Sequence, residues 1–215
     1  SGRDTALIGA QARGDTIYAD VGRDLTLISQ QDIDRYHAKD KQITGGGSFS
    51  FGSMTGSAYA GVSKGKVDSD YLSVVEQTGL FAGKGGFDID VGGHTQLTGA
   101  VIASLADASR NSLSTDTFGF SHLTNRADYS ASAAGMGAGL GGEFKDTTQF
   151  GGGPAGVSVA QTSGSASGLT QSAISAGTII VRSDDSLASL DGLSRNPDSA
   201  NVSINKIFDA DKVRE

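Results

Sequence analysis

The sequence contains no cysteine and no tryptophan, and only 2 prolines and 2 methionines. Without cysteine there are no disulfides, no thiolate metal sites and no cysteine nucleophile. Nothing would staple the chain and hinder its threading through a membrane pore. The longest apolar run, around Ile179-Ile180-Val181, falls far short of the ~20 residues that a membrane-spanning helix needs. Lysine and arginine nowhere cluster beyond two or three residues, so a nucleic-acid backbone finds no electrostatic footprint and no nucleic-acid partner is predicted. No signal peptide is visible at Ser1, and the first residues lie inside a repeat, which reads as a piece of a longer protein.

What is abundant is glycine: 32 of 215 residues, twice the average usage of about 7%. Serine, threonine and alanine fill much of the remainder, and hydrophobic residues make up only 37%. Such a chain either stays disordered or stacks small residues closely. The regular placement of β-branched and aromatic residues favours stacking. The formal charge of −7 suits solubility and self-repulsion outside a cell.

The strongest signal is self-similarity. Gly2-Arg3-Asp4-Thr5-Ala6-Leu7-Ile8 matches Gly22-Arg23-Asp24-Leu25-Thr26-Leu27-Ile28 at an offset of 20. Between them lies Gly14-Asp15-Thr16-Ile17-Tyr18-Ala19. The pattern returns at Val91-Gly92-Gly93-His94-Thr95-Gln96-Leu97 and closes at Gly177-Thr178-Ile179-Ile180-Val181. Each unit is a turn glycine followed by a short alternating run, the signature of a strand with one face in and one out. A period near 20 fits one coil of a β-helix, with Leu, Ile and Val lining the interior. Leu7 and Leu27 are expected in one interior column.

A fainter repeat overlays the first. Ala60-Gly61-Val62-Ser63 matches Ala155-Gly156-Val157-Ser158, and Leu80-Phe81-Ala82-Gly83 resembles Ile174-Ser175-Ala176-Gly177, at offsets of 95 and 94. The predicted fold is therefore all-β: a right-handed parallel β-helix over residues 1–182, with antiparallel β excursions at about 36–75 and 111–170. Phe49/Phe51 and Phe118/Phe120 are expected to lie as pairs on one face of these ribbons, which pack against the rod. The same alternation, with small residues opposite, could face lipid in a closed sheet. Residues 183–215 read as a C-terminal cap or junction with a short helical element. There Asp184 or Asp185 would cap Leu187, Leu190 and Leu193, with Gly192 near the end.

Chemistry finds little foothold. Asp88 and Asp90 flank Ile89 on the outward side of a strand, as some calcium-dependent polysaccharide-cleaving β-helices arrange carboxylates. A calcium site needs six or more oxygens, however, and a solvated face is the better reading. Asp32/Asp34 and Asp68/Asp70 read the same way. His37, His94 and His122 are far apart, and His94 stands where Asp4 and Asp24 stand in their repeats, as a turn residue. Gly137-Ala138-Gly139-Leu140-Gly141-Gly142 spells a dinucleotide-binding fingerprint, but no helix or acidic residue follows at the required places. No catalytic, cofactor-binding or metal-binding residue is expected, no cofactor, and no enzymatic activity.

The residues also resemble a family. Gly79-Leu80-Phe81-Ala82-Gly83-Lys84-Gly85-Gly86-Phe87-Asp88-Ile89, then Thr95-Gln96-Leu97-Thr98-Gly99-Ala100-Val101-Ile102-Ala103-Ser104, are similar to the hemagglutinin-repeat region of two-partner-secreted exoproteins. Leu113-Ser114-Thr115-Asp116-Thr117 and Asn125-Arg126-Ala127-Asp128-Tyr129 continue the likeness. Those exoproteins include the filamentous hemagglutinins and the contact-dependent growth inhibition effectors. The resemblance implies a filament secreted to the bacterial cell surface through an outer-membrane two-partner transporter of the producing cell. In the growth-inhibition branch it also implies a role in carrying a toxin across a target-cell outer membrane, at a membrane or receptor partner. Two other readings remain: an adhesin segment binding host or neighbouring cells, and a polysaccharide-active β-helix enzyme.

Overall fold

A computed structural model describes residues 2–50, 55–143, 151–152, 155–184 and 187–205. The strands are β1 (Thr5–Ile8), β2 (Gln11–Val21), β3 (Leu25–Ile28), β4 (Asp32–Ser50), β5 (Thr55–Ser73), β6 (Gly79–Thr98), β7 (Val101–Ser104), β8 (Asn111–Ser121), β9 (Leu123–Glu143), β10 (Gly151–Gly152), β11 (Gly156–Thr170), β12 (Ala173–Ile174) and β13 (Thr178–Val181). The fold is all-β. It divides into two compact units, one of residues 1–33, 71–127 and 166–206, the other of residues 34–70, 128–165 and 207–215.

The first unit holds an eight-stranded parallel sheet. Its pairings fall into three columns. In one, Leu7 pairs with Leu27, Leu27 with Leu97 and Leu97 with Phe120. In the second, Ala12, Leu80, Ile102 and Ile174 follow one another. In the third, Ala19, Ile89, Leu113 and Ile179 do so. Alternation puts these side chains on one side of every strand, and they meet in a single apolar cluster. Leu27, Leu97, Ile102 and Leu113 are completely buried. Leu7 packs against the same cluster as Leu27, as the 20-residue offset predicts.

The glycines that mark the repeat sit where strands turn corners. A Cβ on Gly92 would collide with the carbonyl oxygen of Gly22, its counterpart in the preceding coil. Beside that corner Asp4 Oδ1 accepts from the Asp24 N–H (3.4 Å), and Asp24 Oδ1 accepts from the His94 N–H (2.9 Å). The aspartates thus tie each corner to the next.

Both long insertions leave the parallel stack at one point of the repeat. The chain departs after β3 and returns at β6, then departs after β8 and returns at β12. The offset of 94 between Leu80 and Ile174 follows, because these residues share a column with Ile102 between them.

The second unit is built on an antiparallel sheet in the order β4, β5, β9, with β10 and β11 both pairing β9. Phe118 and Phe120 do not belong to it. They lie in β8, which pairs in parallel with β6 and β13. Phe118 is buried in the apolar cluster and Phe120 packs against it. The sequence Thr117-Phe118-Gly119-Phe120 alternates equally well in either setting. Its register with Thr95 and Leu97 decides the matter. Of the other pair, Phe51 lies outside the described residues.

At the C-terminal end, the leucine triplet forms no α-helix. Leu187 takes a left-handed conformation (φ 54°), and Ala188–Leu190 make one 3-10 turn. Asp184 Oδ2 accepts from the Ser189 N–H at 2.7 Å; Asp185 lies outside the described residues. The expected short helical element is thus a 3-10 turn, whose repeat of three residues matches the leucine spacing. Leu190 and Leu193 pack on the apolar cluster of the parallel unit. A second 3-10 turn spans Pro197–Ser199.

Candidate functional surfaces

Asp88 and Asp90 point outward, as alternation with buried Phe87, Ile89 and Val91 requires. Asp88 accepts from Ser112 Oγ at 2.5 Å, and Asp90 pairs in register with Asp20 and Ser114. Among the described residues no three His, Cys, Asp or Glu side chains converge as a metal site would require. Gly137 and Gly139 stand in the middle of β9, in an extended strand, so the glycine fingerprint has no phosphate-binding turn around it.

The histidines are structural pieces of three different places. His94 Nδ1 contacts Thr117 Oγ1 at 2.8 Å on the exterior of the corner that Asp24 ties. His122 Nδ1 accepts from the Ser172 N–H at 3.1 Å. His37 meets Asp68 across β4 and β5 at 2.9 Å, with Lys66 Nζ at 2.5 Å from the same carboxylate. Hydrogen bonds from Lys66 first, and then from His37, hold the Asp68 carboxyl below the usual carboxylate range. Asp4 is likewise lowered, chiefly by its hydrogen bond from Arg23.

The corner where the insertions leave carries a polar network that the sequence did not advertise. Asn125 is fully buried. Its Oδ1 accepts from the Val74 N–H (2.9 Å) and Gln31 Nε2 (3.3 Å). Its Nδ2 donates to Thr170 Oγ1 (2.8 Å) and the Val202 carbonyl (2.9 Å). One side chain therefore ties the return of the first insertion, the departure and return of the second, and the C-terminal segment. A buried amide satisfied on both sides is a positional device, because the buried Val74 N–H left alone would be unsatisfied. The family likeness at Asn125-Arg126-Ala127 was the only hint of it.

On the outside of the second column, the Arg13 guanidinium lies 4.4 Å above the Phe81 ring. Nearby, Arg195 Nη2 donates to the Ser175 and Gly177 carbonyls, both at 3.0 Å, and burial lowers its pKa. Both guanidiniums are engaged by the fold itself.

Parallel strands stacked with a short glycine-punctuated period define the architecture of a repeat protein. Residues 1–45 match the family model of the hemagglutinin repeat. The chain is 53% identical over 214 residues to the tRNA nuclease CdiA of Escherichia coli strain NC101, covering 99% of itself and 6% of that protein. It is 45% identical over 220 residues to the deoxyribonuclease CdiA of Dickeya dadantii strain 3937, covering 100% of itself and 7% of that protein. To the 16S rRNA endonuclease CdiA of Enterobacter cloacae it is 45% identical over 218 residues, covering 100% of itself and 6% of that protein. The chain thus spans less than a tenth of the length of these relatives. No solved structure matches it. The chain is thus a region like those of the filamentous hemagglutinin and contact-dependent growth inhibition type, with the hemagglutinin repeat matched at residues 1–45.

Proposed function

We propose that this segment is a non-catalytic structural and translocation module of a two-partner-secreted bacterial surface filament, and that it aids delivery of a toxin across a target-cell outer membrane. The observation that carries the reading is the spread of names among its relatives. Proteins named for cleaving tRNA, DNA and 16S rRNA all share this stretch at 45–53% identity. A segment common to three different nucleases is not what distinguishes their substrates. Its role is one that all three need, and export and delivery are such roles. The secreting partner is an outer-membrane transporter of the producing cell, and the other partner is the target cell's outer membrane or a receptor in it.

Architecturally, the three parallel columns support a right-handed parallel β-helix, since crossover connections between parallel strands are almost always right-handed.

The test is made in a full-length CdiA relative. Excision of the segment between the two flanking repeats should abolish killing of target cells while leaving secretion and cell binding intact. Loss of cell binding would instead make it an adhesin segment, and normal killing would end the delivery reading. The purified segment should leave tRNA and polygalacturonate uncleaved; unsaturated products from the latter would revive the enzyme reading.

A further inference from the structure

The antiparallel unit brings together charges that are separated in sequence. His37 lies opposite Asp68, and Ser48 Oγ is 2.8 Å from Ser57 Oγ. These contacts fix one register along β4 and β5, in which Lys39 faces Lys66 and Lys41 faces Lys64. All four lysines are exposed, and they are half of the eight lysines in a chain of charge −7. Like charges directly opposite each other on a sheet are destabilising. Closer to Asp70, the same two strands pair Arg35 with Asp70 and His37 with Asp68. The pattern switches from complementary pairs to opposed lysines within one sheet face.

The next row on that face is apolar. A Cβ on Gly61 would meet Thr44 Oγ1 and the backbone of Gly137, and a Cβ on Gly135 would meet Ser158 Oγ. These contacts align Ile43, Val62, Met136 and Val157 across four strands, directly beside the lysines. Val159 stands in the row of Lys41 and Lys64. Ile43, Met136, Val157 and Val159 are each 67–71% exposed and Val62 41%. A shallow depression on this face is lined by the four lysines with Ser132, Ala134, Val159 and Gln161.

We propose that this face of the antiparallel unit docks on a phosphate-bearing lipid surface, with Lys39, Lys41, Lys64 and Lys66 on the phosphates and the Ile43–Val157 row in the outer acyl boundary. A band of lysine beside exposed aliphatic side chains is the arrangement that lies in a bilayer interface, where ammonium heads reach phosphate and the apolar row leaves water. A soluble anion would engage the lysines and leave the apolar row in water. The face is complete as it stands and needs no refolding. The inference rests on the proposed role at a target outer membrane and names the surface that meets it.

The chain has no tryptophan, so a single introduced indole reports alone. Met136→Trp places it in the apolar row, and Tyr59→Trp places it on the opposite face, where the Tyr59 ring lies over Gly46. With phosphatidylcholine vesicles containing phosphatidylglycerol, Met136→Trp emission should shift to shorter wavelength while Tyr59→Trp stays unchanged. Phosphatidylcholine alone should give neither effect, and added salt should weaken binding. Lys39→Glu with Lys41→Glu pairs each new carboxylate with a lysine across the strands, and leaves Lys66 on Asp68. This variant should bind the anionic vesicles about tenfold more weakly or worse, while its circular dichroism and melting are unchanged or improved. Equal shifts at both indoles, equal binding by the charge variant, or binding of inositol hexakisphosphate without vesicle binding would each overturn the proposal. Vesicle binding is read on the 215-residue chain alone, so its failure is separate from failure of toxin delivery in the full-length protein.

Discussion

The two units spend their apolar residues in opposite ways. Among the described residues, every buried hydrophobic side chain, from Val21 to Ala200, belongs to the parallel unit. The antiparallel unit holds instead the exposed Ile43, Tyr59, Val62, Met136, Val157 and Val159. One unit is stabilised by an interior, because each coil lays a Leu, Ile, Val or Phe on the one before. The other is stabilised by backbone pairing and small-residue rows, with its large side chains in water. Sheets without a covered face are weakly stable on their own, and an uncovered apolar face marks a contact surface. By that comparison the parallel unit carries the buried core, and the antiparallel unit carries the surface proposed for docking.

The largest test of that difference is native-state hydrogen exchange. Amides of β6 and β8 should exchange only through global unfolding, and those of β4, β5 and β9 beyond Asp34 through local opening of much lower free energy. Equal protection in the two units would break the comparison. Single substitutions sharpen it. Leu97→Ala removes a fully buried side chain and should cost about 2–5 kcal/mol in urea unfolding. Val159→Ala, on the exposed face, should stay within about 0.5 kcal/mol.

The joint is intermediate. Asn125→Ala leaves the Val74 N–H without its acceptor and the Val202 carbonyl without its donor. The uncompensated Val74 N–H is buried and costs about 1–3 kcal/mol, whereas the Val202 carbonyl belongs to an exposed residue and can turn to water. The expected readout is a lowered unfolding midpoint in urea, together with faster exchange at Val74. An unchanged midpoint would mean that the Asn125 network positions nothing.

Much of the parallel unit was legible because its period is short and its corners repeat. Gly22 and Gly92, Leu27 and Leu97, Asp24 and His94 occupy equivalent positions, and sequence offsets of 20 and 70 translate directly into register. Phe118 was misplaced because period-two alternation identifies a strand but does not choose its partner. The lysine face was invisible for a related reason. Lys39-Asp40-Lys41 and Lys64-Gly65-Lys66 are each too short to be a basic cluster, and only hairpin register superimposes them. The spacing was available, since both tripeptides lie equally far from the Ser48–Ser57 contact. Asn125 could not be recognised from composition at all, because a buried amide looks like a loop residue until its partners arrive from distant parts of the chain.

The smallest expected effect concerns pH and the complementary end of the ribbon face. Asp68 accepts from Lys66 and His37, and its carboxyl titrates below the ordinary value in the folded chain. A carboxylate with a depressed folded-state pKa contributes stability that is fully present above its unfolded pKa of about 3.9. That contribution fades as pH falls through the lower, folded value. Asp68 is only partly covered and its partners His37 and Lys66 are exposed, so the contribution is small and screened by salt. Comparing the chain with Asp68→Asn isolates it. The substitution should lower the melting temperature of the antiparallel unit slightly near pH 6, and the difference should shrink as pH falls through the lowered folded value, where Asp68 becomes neutral like asparagine. The gap at pH 6 should also narrow in high salt. At the opposed lysines the sign reverses: salt screens repulsion there and should steady the hairpin. A Lys39→Glu, Lys41→Glu variant should then lose that salt benefit. If salt acts alike on the Asp68 end and the Lys41–Lys64 row, the charges on this face are mere solvation, and the distinction between its paired and opposed rows has no energetic content.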